Sequence, residues 1–374
     1  MISYLELENY RGFQQYKLAG LARVNLLVGK NNSGKTSLLE AVQLLASGGD
    51  PLVLSKITMQ RGEVRYDSDE PPHRGNVYQD VSHFFYGREF GQNSHFAVRA
   101  DNGLGKLDVS VVSITDQSEK GQKLPFSDDD FTAHSNLGLE IRLNADRPPS
   151  FRNGPPIPVS EEGAISIDQV VRHGRRFWGK SREGPVQFVT QDSLEHDSMS
   201  ELWDKVITEG KEQDVVDAMR ILEPTLTSIA FMSGDRPYRV GLRGGILVGF
   251  EGARRRQPLG SYGEGMRRLL ALSLALATTQ NGILLIDEID TGLHYSIMGD
   301  MWLLVVEAAR RYNIQVFITT HSFDCVRGLS WLCKHHPELG KEVSLQKIEH
   351  DLNEAVALDA EQIIIAADQD IEVR

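Results

Sequence analysis

Apolar and polar positions alternate at the start of the chain and then merge into a continuous apolar run. Residues 2–7 alternate, which predicts a half-buried strand, whereas Val24–Val28 is apolar enough for a strand buried on both faces. Apolar side chains at positions 38, 39, 42 and 45 then share one face, which predicts a helix from about Lys35. The N-terminal part of the chain therefore predicts two strands followed by a helix.

The last third of the chain shows a regular exchange of strand-like and helix-like patterns. Residues 266–278 predict an apolar helix, 283–286 a buried strand, 297–311 an amphipathic helix and 314–319 another buried strand. Such alternation is typical of a parallel sheet, which binds its ligand at the carboxyl ends of its strands.

The middle of the chain, from about residue 47 to residue 258, has a different character. Pro and Gly clusters interrupt short strand-like runs at 97–100 and 107–114, and a helical stretch covers 199–222 with a break near Gly210. No heptad pattern persists there, so we predict no long coiled-coil arms.

Composition narrows the class of protein. The chain has 374 residues, a net charge of −12 and two cysteines, Cys325 and Cys333. So few cysteines do not make a disulfide framework, and we find neither a signal peptide nor an apolar run of membrane-spanning length, so we expect a cytoplasmic protein without membrane contact. The acidic balance speaks against a protein that coats nucleic acid. The basic and aromatic stretch 172–182 leaves a local nucleic-acid contact, a solvated loop or a protein-binding surface open.

A phosphate-binding pattern follows the second predicted strand. Residues 29–36 fit G-x-x-x-x-G-K-[ST], in which successive backbone N–H groups surround a phosphate at a helix N-terminus. Lys35 is predicted to reach the β- and γ-phosphates of ATP, and Thr36 to bind Mg²⁺ through its hydroxyl. The predicted nucleotide-binding residues of this loop are Gly29, Asn31, Asn32, Ser33, Gly34, Lys35, Thr36 and Ser37.

Two acids stand at the end of the buried strand 283–286. Asp287 is predicted to hold Mg²⁺ together with Thr36, and Glu288 to polarise the attacking water. Taken alone, such a pair is equally well a helix N-cap. Its place after a buried strand, in a chain with a phosphate loop, favours catalysis.

Residues 259–265, Leu-Gly-Ser-Tyr-Gly-Glu-Gly, resemble the signature loop of ABC-type ATPases. The resemblance implies that Ser261 and Gly263 of one copy cap the γ-phosphate bound by a second copy. It also implies that His321, after the strand 314–319, senses the γ-phosphate. The alternatives are a glycine-rich N-cap without a ligand and a structural histidine.

The branch of the class is indicated by three further runs. Residues 8–13 (Glu-Asn-Tyr-Arg-Gly-Phe), the Asn-Asn pair of the phosphate loop and residues 287–294 are together similar to the OLD, RecF and SMC branch. The resemblance makes Arg11 a candidate phosphate contact, against a surface arginine at a strand end. Gln79 is the candidate for the glutamine that couples Mg²⁺ to the insert, and Gly292-Leu293-His294 replaces the loop aspartate of transporter-type proteins. We expect no nuclease domain in this chain.

These patterns together predict an α/β P-loop NTPase, an ABC-type ATPase head with a mixed sheet and a β-rich and helical insertion. We assign residues 1–150 and 225–374 to a discontinuous nucleotide-binding domain and 151–224 to a helical and loop insertion. We predict an ATPase using ATP and Mg²⁺, with Glu288, Lys35 and His321 as its catalytic residues, that dimerises head to tail and serves a separately encoded protein effector, in phage defence or DNA repair. A DNA-binding repair ATPase and an ATP-gated scaffold without nucleic acid are the alternatives, and a transporter ATPase is disfavoured.

Overall fold

The computed structural model describes residues 1–66, 77–114, 136–144, 154–177, 185–190, 196–232, 245–349 and 351–373. Within these ranges the strands are β1 (Tyr4–Tyr10), β2 (Phe13–Ala19), β3 (Val24–Val28), β4 (Val64–Tyr66), β5 (Val77–Asp80), β6 (His95–Ala100), β7 (Gly105–Ser113), β8 (Leu137–Asn144), β9 (Ile157–Val159), β10 (Ala164–Ser166), β11 (Val186–Val189), β12 (Leu226–Phe231), β13 (Ile246–Phe250), β14 (Gln257–Pro258), β15 (Ile283–Ile286), β16 (Gln315–Thr319), β17 (Val343–Lys347) and β18 (Val356–Leu358). The helices are α1 (Lys35–Ala46), α2 (Pro51–Arg61), α3 (Ile167–Phe177), α4 (His196–Thr208), α5 (Glu212–Met219), α6 (Glu264–Thr278), α7 (Met298–Arg311), α8 (Phe323–His335), α9 (Pro337–Gly340) and α10 (Ala360–Asp368).

The central sheet has the strand order β11-β15-β16-β3-β17-β18. Its neighbouring strands run parallel except for the antiparallel edge pair β17 and β18. All residues of β3 and β16 are buried, because helices cover both faces of the sheet and leave no polar side. Leu26, Ile286 and Ile318 pack with Trp302 and Val305 of α7 on one face. The predicted α/β class with a mixed sheet is confirmed.

A second, antiparallel sheet has the order β2-β1-β6-β7-β8-β9 and lies on the far side of α1. Leu5 and Phe96 of this sheet join Leu38 of α1 and Leu285 of the central sheet in one hydrophobic cluster. Helix α1 is therefore enclosed between two sheets, which explains why almost all its residues are buried. This packing fixes the phosphate loop at its N-terminus.

The middle of the chain contributes to several layers. The small sheet β12-β13-β14 packs with α4, α5 and α6, and Gly210, with φ +66°, separates α4 from α5 where the break was predicted. Strand β11 lies at the edge of the central sheet, although its residues fall in the range 151–224 predicted as an insertion. The limits of that insertion stay a prediction.

The strand order brings three loops together. Strand β16 lies between β3 and β15, so the loop after it stands between the phosphate loop and the acids after β15. No helix in the described ranges is both long and apolar enough to cross a bilayer.

Candidate functional site

The phosphate loop joins β3 to α1 through backbone conformations that favour glycine. Gly29 has φ +152° and Gly34 has φ +89°. A Cβ atom at Gly29 would lie 2.6 Å from the carbonyl oxygen of Ile348, and one at Gly34 would lie 2.4 Å from the ring of Phe13. Both positions therefore exclude a side chain, and the ring at the tip of the β1–β2 hairpin supports the loop directly.

Lys35 is buried at the first position of α1 and folds back over the loop. Its Nζ donates hydrogen bonds to the carbonyl oxygens of Gly29 at 2.7 Å and Lys30 at 2.9 Å. Burial lowers the pKa of Lys35, opposed by the negative charges of Asp287 and Glu288. The ammonium group thus lies in the loop with no carboxylate within ion-pair distance among the described residues, which suits it to phosphate oxygens.

The remaining loop residues divide into exposed and buried sets. Asn31 and Asn32 are exposed, whereas Ser33 and Ser37 are buried. The Ser33 hydroxyl has no hydrogen-bond partner in the described part of the chain, and that of Ser37 accepts one from Arg61 at 3.2 Å. The first turn of α1 carries no acidic residue and its N-cap, Gly34, offers no side chain, so its amides remain available for an anion.

Thr36 and Asp287 converge as the pattern predicted. The Thr36 hydroxyl lies 3.3 Å from each carboxylate oxygen of Asp287. Neighbouring ligands of an octahedral Mg²⁺ with metal–oxygen distances of 2.0–2.1 Å are about 2.9 Å apart, so these hard oxygen donors fit that ion after a small approach. Thr319, at the end of β16, donates a 2.6 Å hydrogen bond to Asp287 and orients its carboxylate.

Glu288 has a left-handed backbone, with φ +50°, which turns its side chain away from that of Asp287. Its N–H donates to the Thr319 hydroxyl at 2.9 Å, and its carboxylate lies 3.4 Å from the Nε2 of His321 and accepts from Thr291 at 3.4 Å. The side chains of Glu288 and His321 are each 40% exposed. The structure thus brings together two of the three predicted catalytic groups, Glu288 and His321, at an open edge of the site.

Arg268 is a functional candidate that the sequence analysis missed. It is fully buried in the second turn of α6 and donates to the backbone carbonyls of Asp287 at 2.6 Å and Glu288 at 2.8 Å, and to that of Thr190 at 3.3 Å. Burial lowers its pKa. The signal was an arginine on the buried face of a helix whose other charged residues, Glu264 and Arg267, are exposed. Thr319 was also missed, although it is a polar residue ending a buried strand.

The signature run forms a short 3₁₀ turn, Leu259–Tyr262, followed by Gly263 and the start of α6. Ser261 and Gly263 are exposed, and Gly263 has φ +85°. A Cβ atom at Gly265 would lie 2.8 Å from the carbonyl oxygen of Gly292, so the start of α6 presses on the loop after Glu288. The helix therefore presents its N-terminus to solvent while its side contacts the acidic loop.

Two predicted contacts are placed elsewhere. Arg11 was a candidate phosphate ligand, but its side chain is buried between Glu40 at 2.9 Å and Glu63 at 2.7 Å. Because two buried carboxylates pair with it, its guanidinium is held within the fold and away from the phosphate loop. Gln79 is buried and donates to Ser55 on α2. Neither side chain forms part of the cluster around Thr36.

The basic stretch 172–182 is described only in part. Residues 172–177 form the C-terminal part of α3, where Arg172, Arg175 and Arg176 are exposed. Residues 178–184 lie outside the described ranges.

Comparisons with known proteins identify ATPase relatives of the chain. The chain is 23% identical over 345 residues to the "ATP/GTP phosphatase" of Helicobacter pylori, covering 86% of this chain and 85% of that protein. It is 34% identical over 68 residues to the "DNA replication and repair protein RecF" of Bacillus cereus (strain B4264), which covers 18% of this chain but only 17% of RecF.

Solved structures show the fold. The crystal structure of an SMC head bound to the C-terminal winged-helix domain of ScpA superposes with a TM-score of 0.50 at 13% identity, covering 96% of this chain and 98% of that one. The predicted ABC-type head and the resemblance to the OLD, RecF and SMC branch are confirmed.

Family models account for both ends of the site. One described as "AAA ATPase domain" matches residues 1–73, which include the phosphate loop. A second, described as "AAA domain, putative AbiEii toxin, Type IV TA system", matches residues 124–324, which include the signature turn, Asp287, Glu288 and His321. Because this second model covers more than half of the chain, the protein belongs to that family of AAA-type ATPase domains.

Proposed function

We propose that this protein binds ATP with Mg²⁺ and hydrolyses the β–γ phosphoanhydride in a head-to-tail homodimer that acts as the switch of a larger complex. The observation that supports the chemistry best is the convergence of Lys35, Thr36, Asp287 and Glu288 at the carboxyl ends of two strands of one sheet. A bound Mg²⁺, held by Thr36 and Asp287, supplies charge neutralisation at the phosphate oxygens.

The residues of the chain divide the work of hydrolysis. The loop amides hold the phosphates, and the Lys35 ammonium leaves the loop carbonyls for the β- and γ-phosphate oxygens. The Glu288 carboxylate accepts a proton from water while the water oxygen attacks the γ-phosphorus, and the bridging oxygen leaves with ADP. Thr319 and Arg268 hold the two acids by contacts to the Asp287 side chain and to the Asp287 and Glu288 backbone.

The proposal of a homodimer rests on the exposure of one side of the site. Glu288 and His321 are partly open to solvent, and the N-terminus of α6 is exposed with Ser261 and Gly263. Three exposed arginines, residues 254–256, stand in the adjacent hairpin turn and add positive charge at this edge. A second copy that brings this edge to a bound triphosphate would close the site against water.

The Glu288→Gln variant tests this function. It keeps the shape of the side chain but removes the base, so we expect ATP-dependent dimers in sedimentation and turnover about 100-fold below that of the unchanged protein. Glu361→Gln, an exposed position on α10, is the matched control and should leave turnover unchanged. Hydrolysis at the unchanged rate by Glu288→Gln would refute the assigned role of Glu288.

A DNA-linked repair ATPase is a second candidate. It is favoured by the similarity of 68 residues to RecF and by the exposed arginines at the end of α3. It predicts ATP hydrolysis stimulated by DNA, with stimulation that falls steeply as salt rises. If DNA does not change the rate of ATP hydrolysis at low salt, the chain is instead the switch of a protein effector. The matched family, whose description names a toxin–antitoxin system, is compatible with such an effector.

A further inference from the structure

A groove distant in sequence from the phosphate loop runs between α6 and α7 and is closed at one end by α5. It has a volume of about 720 Å³. Its apolar floor is formed by the side chains of Ala218, Ile221, Leu276, Ala277, Leu303 and Leu304. We call it the α6–α7 groove.

Helix α7 has one fully buried apolar face and, beside it, apolar residues that pack at the edge of the core and stay partly open. Met301, Trp302 and Val305 are fully buried against the central sheet. Leu303 and Leu304 are only partly buried and border the groove. The groove-lining positions 300, 303, 304, 307, 308 and 311 follow helical spacing over three turns, about 16 Å at 1.5 Å per residue. Leu303, Leu304 and Ala308 are the apolar members of this row, and Asp300, Glu307 and Arg311 are charged. A groove of this length, with an apolar floor and charged positions along its wall, fits one face of an amphipathic helix.

The rim of the groove carries an excess of negative charge. Four carboxylates, those of Asp214, Asp217, Asp300 and Glu307, line it against two guanidinium groups, which leaves two negative charges. Asp214 pairs with Arg311 at 3.1 Å and Asp217 with Arg220 at 2.6 Å. Asp300 and Glu307 are exposed and form no ion pair within the described part of the chain.

The charge of the rim selects the occupant. If two copies paired symmetrically through this groove, their two acidic rims would face each other and repel at low salt. A helix with lysine or arginine beside its apolar stripe would place cations opposite Asp300 and Glu307. We propose that the α6–α7 groove receives a basic amphipathic helix of about three turns from a separate protein.

Helix α6 connects this groove to the nucleotide. Its C-terminal half supplies Leu276 and Ala277 to the floor, and Lys211 holds its end by donating to the Ala277 carbonyl at 2.7 Å. Its second turn carries Arg268, which contacts the loop of Glu288. An occupant therefore touches the same helix that presents the signature turn. This link, but not the groove itself, rests on the proposed function.

A synthetic peptide serves as the probe. A fluorescein-labelled 14-residue helix of leucine and lysine, with leucine at helical spacing, should bind the full-length protein saturably and with affinity that falls as salt rises. The same peptide with glutamate in place of lysine should bind at least tenfold more weakly. Equal binding of the two peptides would overturn the charge argument.

Two variants locate the binding. Asp300→Asn combined with Glu307→Gln removes the unpaired charges without touching the core, and should weaken the lysine peptide about tenfold. Leu303→Glu should abolish binding, and Asp324→Asn together with Glu361→Gln, exposed charges on α8 and α10, should not change it. Unchanged binding by the first pair would refute the proposal, as would a dimer that Leu303→Glu converts to a monomer, because the occupant would then be a second copy.

The peptide measurement is independent of hydrolysis. It is made with and without Mg-ATP, and Glu288→Gln serves as a chain that retains nucleotide. Saturable binding of the lysine peptide to a protein that lacks ATPase activity would support the groove and contradict the proposed function. ATP hydrolysis by a protein that does not bind the lysine peptide would support the proposed function and refute the groove proposal.

Discussion

Lys35 and Arg11 are two buried cations that the sequence predicted as phosphate contacts. In the structure they have different kinds of partner. Arg11 lies between the carboxylates of Glu40 and Glu63 and over the ring of Phe84, at 4.7 Å from its centre. Its pKa is raised, with the carboxylates and Tyr10 outweighing the effect of burial. Lys35 is satisfied only by backbone carbonyls, and burial lowers its pKa.

The difference distinguishes a cation that is paired with carboxylates within the fold from one that only neutral backbone carbonyls hold. A buried charge with complete local partners stabilises the fold and has nothing left for a ligand. A buried charge with neutral partners is held at a cost and gains most from an incoming anion. Both side chains are buried and positively charged, so the two residues differ only in whether their partners are carboxylates or neutral carbonyls.

The largest effect should follow from Arg11→Met. The substitution leaves Glu40 and Glu63 buried without their cation, so we expect the free energy of unfolding to fall by about 3–5 kcal/mol with nucleotide affinity unchanged. Burial already raises the pKa of Glu40, and removal of Arg11 raises it further. The folded variant then binds protons more readily than the unfolded chain, so its deficit should shrink as the pH is lowered.

Urea unfolding at several pH values, beside nucleotide titration, measures both quantities. Arg99→Met, at an exposed strand position, is the matched control and should be almost neutral. A loss of nucleotide affinity at unchanged stability would instead make Arg11 a phosphate ligand.

Lys35→Ala should show the reverse pattern. Loss of the ammonium should weaken ATP binding about 100-fold or more, equivalent to about 3 kcal/mol, because a charge-assisted contact to phosphate is lost. The stability of the nucleotide-free chain should change by less than about 1 kcal/mol, because the desolvation of the ammonium offsets its two hydrogen bonds.

Calorimetric titration with Mg-ATP and unfolding in the presence of EDTA test the two halves of this prediction. Lys56→Ala, an exposed lysine on α2, provides the control. A Lys35→Ala protein that binds ATP normally would remove the basis of the proposed function.

A third buried base, His173 on α3, sharpens the comparison with a smaller effect. Burial lowers its pKa to about 4, so the folded chain keeps it neutral while the unfolded chain protonates near pH 6.5. The unfolded state therefore binds more protons between pH 6.5 and 4, and stability falls as the pH drops through this window, by about 1–3 kcal/mol.

His173→Gln should reduce that dependence, measured as the difference in unfolding free energy between pH 7 and pH 4.5. His95→Gln, at an exposed strand position, should leave it as it is in the unchanged chain. Equal pH dependence in the His173→Gln and unchanged proteins would contradict a neutral buried imidazole.

The elements around the site could be predicted because their signals are local. The strand at Val24–Val28, the helix from Lys35 and the strand Ile283–Ile286 have the predicted bounds, since each is a continuous or periodic apolar pattern next to glycine or acids. The convergence of Thr36 and Asp287 followed from the rule that parallel strands gather their carboxyl ends.

What could not be predicted depends on contacts between distant segments. The residues next to Arg11 in the sequence do not predict that Glu40 and Glu63 are its partners. Thr319 reaches Asp287 because β16 lies between β3 and β15 in the sheet. The apolar pattern of each strand does not reveal the order of the strands in the sheet. Strand β11 is only four residues long, too short to stand out in the middle of the chain.

The left-handed backbone of Glu288 has a consequence for the evolution and engineering of this protein. A side chain other than that of glycine or asparagine costs roughly 1 kcal/mol in that conformation. A library selected for heat resistance alone would therefore accumulate glycine or asparagine at position 288, and would lose turnover as it gained melting temperature. Under the role proposed for Glu288, the carboxylate would persist only under selection for ATP hydrolysis.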